Sequence, residues 1–210
     1  SWSSLDVKGN KKAVMFAAKN FYENLHISAV KENNEVEVFV TNENRTAFEG
    51  EVSVFFETTT GEKHGKAEKR AFIRAFSSES VMKISLDGIE RNENVFIAKL
   101  IGKDGKTAGE NRLLLCENNE LALHDPELKI ETVLRAGRVY LTVSAEKYAR
   151  YVELSCEKET GNFEDNFFDL SAGESKTVEI FNPCAGLSEM LSVRSLYDVM
   201  NSRNKKEDKK

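Results

Sequence analysis

The side chains through which a chain of 210 residues could do chemistry are dispersed here rather than gathered. Cys116, Cys156 and Cys184 lie far apart and are odd in number. With no C-x-x-C spacing they read as free, mostly buried thiols, not as a disulfide framework or a zinc site. His26, His64 and His124 are equally scattered, without H-x-x-x-H or H-E-x-x-H spacing, so no metal and no cofactor is expected. Ser155 has no histidine near it and no serine occupies a G-x-S-x-G elbow. Glycine-rich phosphate loops are absent as well.

Three clusters offer a choice between binding and packing. Glu164, Asp165, Asn166 and Asp169, in EDNFFDLSAGE, carry the oxygens a calcium ion uses, but the run alternates like a strand entering a hairpin at Ala172-Gly173. Asp165 and Asn166 are therefore expected to satisfy backbone donors of a turn. Tyr140, Tyr148, Tyr151, Phe167 and Phe168 could form a sugar platform. Adjacent Phe167 and Phe168, however, must face opposite sides of a strand, which puts one in the core and the other at an edge, an interface or solvent. The charged run EKHGKAEKR, residues 62–70, reads as a wet strand or loop.

Composition excludes whole classes of function. Hydrophobic residues make up 40% and charged residues 31%, with a net charge of -5, the balance of a soluble globular protein. The last ten residues carry five positive and two negative charges, so the rest of the chain is near -8. An acidic body is the wrong electrostatic footprint for nucleic acid, and no apolar run approaches the ~20 residues that span a bilayer. Free thiols and the lack of a visible leader favour a cytoplasmic setting, or else a leader upstream of Ser1.

The elements that would position these residues follow from periodicity. Val14, Ala17, Ala18, Phe21 and Leu25 form one stripe of a 3.6-residue period, and Asn10 can cap the helix they predict. Phe16 and Tyr22 lie off that stripe, so the helix is apolar on more than one side, as befits a helix between two partners. From His26 the period is two. Val36, Val38 and Val40 are expected to point inward, with Glu35, Glu37 and Phe39 on the other face. About seven strands precede Leu115, and a Lys-Asp-Gly turn closes one hairpin. At ENNELALHDPEL, turn-forming asparagines and Pro126 mark a boundary, after which six or seven further strands run through EMLSVRSLYDV. The fold class expected is mainly β: two tandem immunoglobulin-like antiparallel sandwiches preceded by one amphipathic helix. The divisions are 1–25 for loop and helix, 26–117 and 118–200 for the sandwiches, and 201–210 for a disordered basic tail.

Three stretches together resemble the C-terminal region of β-mannosidases of glycoside hydrolase family two. The first is Ser1, Trp2, Ser3, Ser4, Asp6, Gly9, Lys12 and Ala13, followed by Ala17, Ala18, Lys19, Phe21 and Tyr22, which matches the family's pattern after its last barrel strand. The second is LHDPEL, Leu123 to Leu128, where such proteins pass from one sandwich to the next. The third runs from ARYVELS through GNFEDNFFDLSAGESKTVEI. Val7, Lys8 and Lys11 depart from the pattern, which commonly has aromatic or arginine residues at these places.

The resemblance implies that the opening helix is the last helix of a (β/α)8 barrel and that the catalytic glutamates precede Ser1. It implies a parent that releases terminal β-D-mannose with retention, and a chain that is inactive alone and packs on that barrel. Trp2 would then line the rim of the sugar pocket or plug the gap between barrel and first sandwich. Val14, Ala17, Ala18 and Phe21 would supply interdomain packing. The barrel of the same polypeptide is the expected partner, with a homodimer also open. The alternative of another class is a carbohydrate- or protein-binding sandwich with no enzyme activity.

Overall fold

The structure, a computed structural model, describes residues 4–5, 11–156, 162–181 and 190–207. Its contacts divide the chain into two compact units: residues 20–58 with 62–122, and residues 1–19 with 59–61 and 123–210. In both, period-two sequence has become antiparallel sheet.

The first unit has seven strands. Strands β1 (Leu25–Glu32), β2 (Glu35–Asn42) and β5 (Ser77–Ser85) form one sheet in the order β1-β2-β5. Strands β3 (Phe48–Thr58), β4 (Lys63–Ile73), β6 (Asn94–Gly102) and β7 (Thr107–Leu114) form the other, in the order β4-β3-β6-β7. Val36, Val38 and Val40 are fully buried as their alternation predicts, and they meet Val52, Val54, Phe96, Ala98 and Leu100 in one core. The charged run 62–70 lies mostly in β4, an edge strand whose lysines face water. The Lys103-Asp104-Gly105 turn closes β6 on β7, with Gly102 N donating to Lys106 O at 2.9 Å and Gly105 at a φ of +77°.

Two local features fix this sandwich. Asn42 ends β2 fully buried, and its Nδ2 lies 3.0–3.2 Å from the carbonyls of Thr46, Ile73 and Arg74 while its Oδ1 accepts from Asn44 N at 3.1 Å. One amide thus ties the β2–β3 connection to the end of β4. Gly50 in β3 is there for space: a Cβ would sit 2.2 Å from Ile101 O and 2.6 Å from the Phe48 ring.

The second unit contains α1 (Ala13–Phe21) up to Lys19, strands β8 (Lys129–Arg135), β9 (Arg138–Ser144), β10 (Ala149–Cys156), β11 (Asn162–Phe163), β12 (Phe168–Leu170), β13 (Ser175–Phe181) and β14 (Leu191–Arg194), and α2 (Leu196–Glu207). Its sheets have the orders β11-β13-β9-β8 and β12-β10-β14. Leu141, Val143, Val152, Leu154, Phe163, Leu170, Val178 and Ile180 are the core between them. The fold is therefore mainly β, a pair of immunoglobulin-like sandwiches with a helix before them.

Two element boundaries differ from the sequence reading. Leu25 opens β1 instead of completing the helical stripe, because its register opposite Asn42 recruits it to the sheet. The strand expected through Val199 stops at Arg194, and the tail expected to be disordered from residue 201 is helical to Glu207. A cap explains the second difference. Buried Ser195 sits at the helix start and donates through N and Oγ to the Asp198 carboxylate, at 2.7 and 3.0 Å, so the first turn is closed from within.

Asn42→Ala should lower the unfolding free energy of the first unit by about 2–3 kcal/mol, because the buried Ile73 carbonyl, the part-buried carbonyls of Thr46 and Arg74 and the Asn44 N–H lose their partner. Urea unfolding followed by near-UV circular dichroism measures it. Gly50→Ala should destabilise the same sheet by about 1–3 kcal/mol through its clash with a backbone oxygen; a midpoint equal to that of the parent chain would show that β3 and β6 can move apart freely.

Candidate functional site

The run EDNFFDLSAGE is where polar and aromatic side chains converge, and Glu164, Asp165, Asn166 and Asp169 each have a structural partner. Asn166, buried, reaches across to Leu154 of β10: its Oδ1 accepts from Leu154 N at 2.8 Å and its Nδ2 donates to Leu154 O at 2.9 Å. Asp165 accepts from Asn166 N and pairs with Lys176, whose ammonium also lies 4.5 Å over the Phe168 ring. Glu164 accepts weakly from Glu179 N at 3.4 Å. Among the described residues their carboxylates do not gather in threes, whereas a calcium loop brings several oxygens to one point.

Asp169 is the centre of a tighter cluster. Arg150 Nη1 and the hydroxyl of fully buried Tyr148 donate to its Oδ2, and Tyr151 N donates to its Oδ1 at 2.9 Å. Arg150 Nη2 bonds the Tyr151 hydroxyl at 2.8 Å, and the guanidinium lies 4.0 Å over that ring. Burial disfavours the arginine's charge, but the Asp169 carboxylate and the two tyrosines outweigh it and hold Arg150 above its usual basicity. Tyr151 sits at a φ of +50°, within an irregularity of the β10–β12 ladder between Ala149 and Val152. The strain and the ion pair together fix where β10 bends.

The aromatic residues do not make a platform. Tyr148 is buried, one face of Tyr151 is under Arg150, Tyr140 belongs to β9 in the other sheet, and Phe168 packs against the core. Phe167, the neighbour facing away, lies 6.1 Å from Phe16 of α1. Phe16 is only 6% exposed, with Lys11 over its ring.

The anchor of the helix is thus the aromatic that lay off the predicted stripe. Val14 is 59% exposed, Ala17 is exposed, Ala18 is half-buried, and the side chain of Phe21 lies outside the described residues, as does Trp2. Leu5 and Met15 are also exposed. The off-stripe Phe16 was visible as a second apolar side; its partner, 151 positions away, was not. The ion pair of Arg150 with Asp169, a residue the sequence offers only as an oxygen ligand, is hidden for a similar reason, since the β10–β12 pairing brings the two together.

The first unit has an open groove of about 890 Å³, lined by Ala29, Lys31, Arg91, Leu113, Cys116 and Glu120 among others. Lys31 Nζ is taken by Leu115 O at 2.7 Å. Burial, then the charge of Glu120, pushes the Cys116 thiol up, away from the thiolate a nucleophile needs. Cys156 lies half-buried in β10, and Cys184 is outside the described residues. His64 stacks on Phe56 and bonds Asn94 Oδ1 at 2.8 Å, while His26 bonds Glu23 O at 3.2 Å. Among the described residues no three metal-ligating side chains gather.

Comparison with known proteins accounts for this architecture. A family model described as a mannosidase Ig/CBM-like domain matches residues 34–117, and a mannosidase-type model described as an Ig-fold domain matches residues 123–199. The β-D-mannosidase from Dictyoglomus thermophilum is similar over 93% of this chain and 24% of its own, with a TM-score of 0.76 and 20% identity. The exo-chitosanase CsxA of Amycolatopsis orientalis is similar over 93% of this chain and 28% of its own, with a TM-score of 0.71 and 16% identity. The chain spans about a quarter of the length of these structures, and at such identities the likeness is one of fold. No curated protein sequence matches. With one mannosidase-type domain matched after the other along most of its length, the chain belongs to the immunoglobulin-like C-terminal region of glycoside hydrolase family two.

Proposed function

We propose that this chain is the non-catalytic accessory region of a β-mannosidase-like hydrolase, and that it covers and steadies a catalytic (β/α)8 barrel in the same polypeptide. The observation that supports this is the state of α1. Phe16 fastens the helix to Phe167, yet Leu5, Val14 and Met15 remain 40%, 59% and 41% exposed. A freestanding sandwich gains nothing from a helix with an apolar outer side, whereas the last helix of a barrel needs that side for its neighbours.

On this reading the parent releases terminal β-D-mannose with retention, through a covalent glycosyl intermediate. Two carboxyls about 5 Å apart, one neutral and one ionised, do that work, and they come from strands that precede Ser1.

Purified alone, the chain should release no aryl group from an aryl β-mannoside, and calorimetric titration with mannose or manno-oligosaccharides should give no heat. Clear turnover would place the catalytic carboxyls within this chain and end the proposal. Micromolar binding would favour a carbohydrate-binding module instead. In the polypeptide that carries the preceding barrel, Val14→Glu together with Met15→Glu should cost about 2–4 kcal/mol of barrel stability, read as earlier thermal inactivation, because two carboxylates would be forced into an apolar contact. Unchanged inactivation would mean that α1 faces water in the parent too.

A further inference from the structure

Strand β8 is an edge that has been left open. It ends the sheet β11-β13-β9-β8, and among the described residues no strand pairs with its outer side. Strand β4, an edge of the other four-stranded sheet, shows the usual protection: five charged side chains from Lys63 to Arg70, and an irregular register opposite Val54 and Phe56. β8 pairs with β9 without interruption from Lys129 to Arg135, contains no proline, and leaves Val133 37% and Leu134 71% exposed.

The hairpin determines which backbone groups are free. Arg135 pairs with Arg138 across a two-residue loop, and Ala136 and Gly137 have φ of +48° and +76°, the signs of a type I′ turn. Residues flanking such a loop exchange both hydrogen bonds, so Lys129, Glu131, Val133 and Arg135 spend their peptide groups on β9. Ile130, Thr132 and Leu134 therefore direct theirs outward. An antiparallel partner must match outward residues with outward residues.

We propose that this partner is a second copy of the chain, paired edge to edge through β8, with Val133 of each copy on the two-fold axis. In that register Thr132 exchanges hydrogen bonds with Leu134 of the other copy. Glu131 then lies directly opposite Arg135 of the other copy, twice across the axis. The charges select this register. Placing Thr132 on the axis would set Lys129 against Arg135, and a register centred on Leu134 would leave Glu131 opposite Gly137. Glu131 and Arg135 also need each other: neither has an ion-pair partner among the described residues, and Arg135 sits beside Arg138, whose charge is already answered by Glu179. Joining the edges makes one continuous sheet of eight strands and covers Val133 and Leu134.

A ribbon this narrow is at the small end of specific interfaces, so the dimer is expected to be micromolar. Sedimentation velocity of the 210-residue chain should show association with a midpoint at about 10 µM, and a monomer up to about 100 µM would overturn the proposal. Thr132→Pro removes an outward donor and no bond to β9, so it should give a monomer with an unchanged far-ultraviolet spectrum. Glu131→Arg should weaken association roughly tenfold, and so should Arg135→Glu, while the two together should restore it. Failure of the double change to restore the dimer would refute the register. Val133→Cys should oxidise to a linked dimer faster than Thr132→Cys; the reverse order would put Thr132 on the axis and refute it too.

Discussion

Strand β10 must belong to two ladders at once, and the second unit is organised around how it does so. β12 pairs with its first half, Ala149 opposite Leu170 and Val152 opposite Phe168, while β14 pairs with its second half from Glu153 to Cys156 on the other side. Continued by two residues, the first ladder would bring residue 166 opposite Leu154. The backbone does not continue, because Phe167 takes a φ of +58° and turns the chain away. Leu154 would then hold a buried N–H and C=O with no strand beside them, at a cost of about 1–3 kcal/mol for each group. The Asn166 amide supplies both partners from its side chain and so stands in for the missing strand residue. No aliphatic or ionised side chain of that size offers a donor and an acceptor together.

The same turn determines what the rest of the unit presents. A left-handed Phe167 points away from the core that its neighbour Phe168 joins, and its ring becomes the seat for Phe16. The helix is therefore seated on an aromatic contact whose direction depends on the strained backbone immediately after Asn166, the surrogate partner of Leu154. At the opposite end of the β12 ladder the Arg150–Asp169 pair plays the corresponding role, holding Tyr151 in its own left-handed conformation through the Tyr151 N–H. Two departures from regular strand geometry thus bracket β12, each secured by a side chain from the run EDNFFDLSAGE. That is why this run is rich in side-chain oxygens: Asn166 and Asp169 spend theirs on the backbone of β10.

Much of the fold was legible because it rests on local periodicity. Val36, Val38 and Val40 alternate against Glu35, Glu37 and Phe39 whatever the tertiary context, and the Lys-Asp-Gly turn needs only Gly105 at positive φ. The departures all involve competition between elements. Leu25 satisfies the helical stripe equally well, but a β1 partner at Asn42 claims it. Tyr197 and Val199 alternate like strand residues until Ser195 and Asp198 close a helical turn around them. Among candidate sites, the structural role of Asp165 and Asn166 was foreseen, whereas the identity of Asn166's partner was not. Its partner is 12 residues upstream in another strand, and the sequence between carries no mark of the register.

The carboxylates whose proton affinity is displaced serve as straps. Wherever a carboxyl here has a resolved displacement, it is downward. A hydrogen bond from the Ser80 hydroxyl, helped by Lys83, holds Glu37 below its ordinary value; Lys66 does so for Glu68, and Lys129 for Glu146. Such groups add stability above the ordinary carboxyl range and lose it as pH falls through their lowered values, which is the behaviour of straps. A general acid in glycoside hydrolysis needs the opposite, a carboxyl raised by burial so that it still carries its proton near neutrality. Asp169 is occupied by a guanidinium, a phenol and a backbone amide. Glu37 uses both of its oxygens in this way, one accepting from the Ser80 hydroxyl and the other pairing with Lys83, so that β2 is tied to β5 by charge as well as by the ladder.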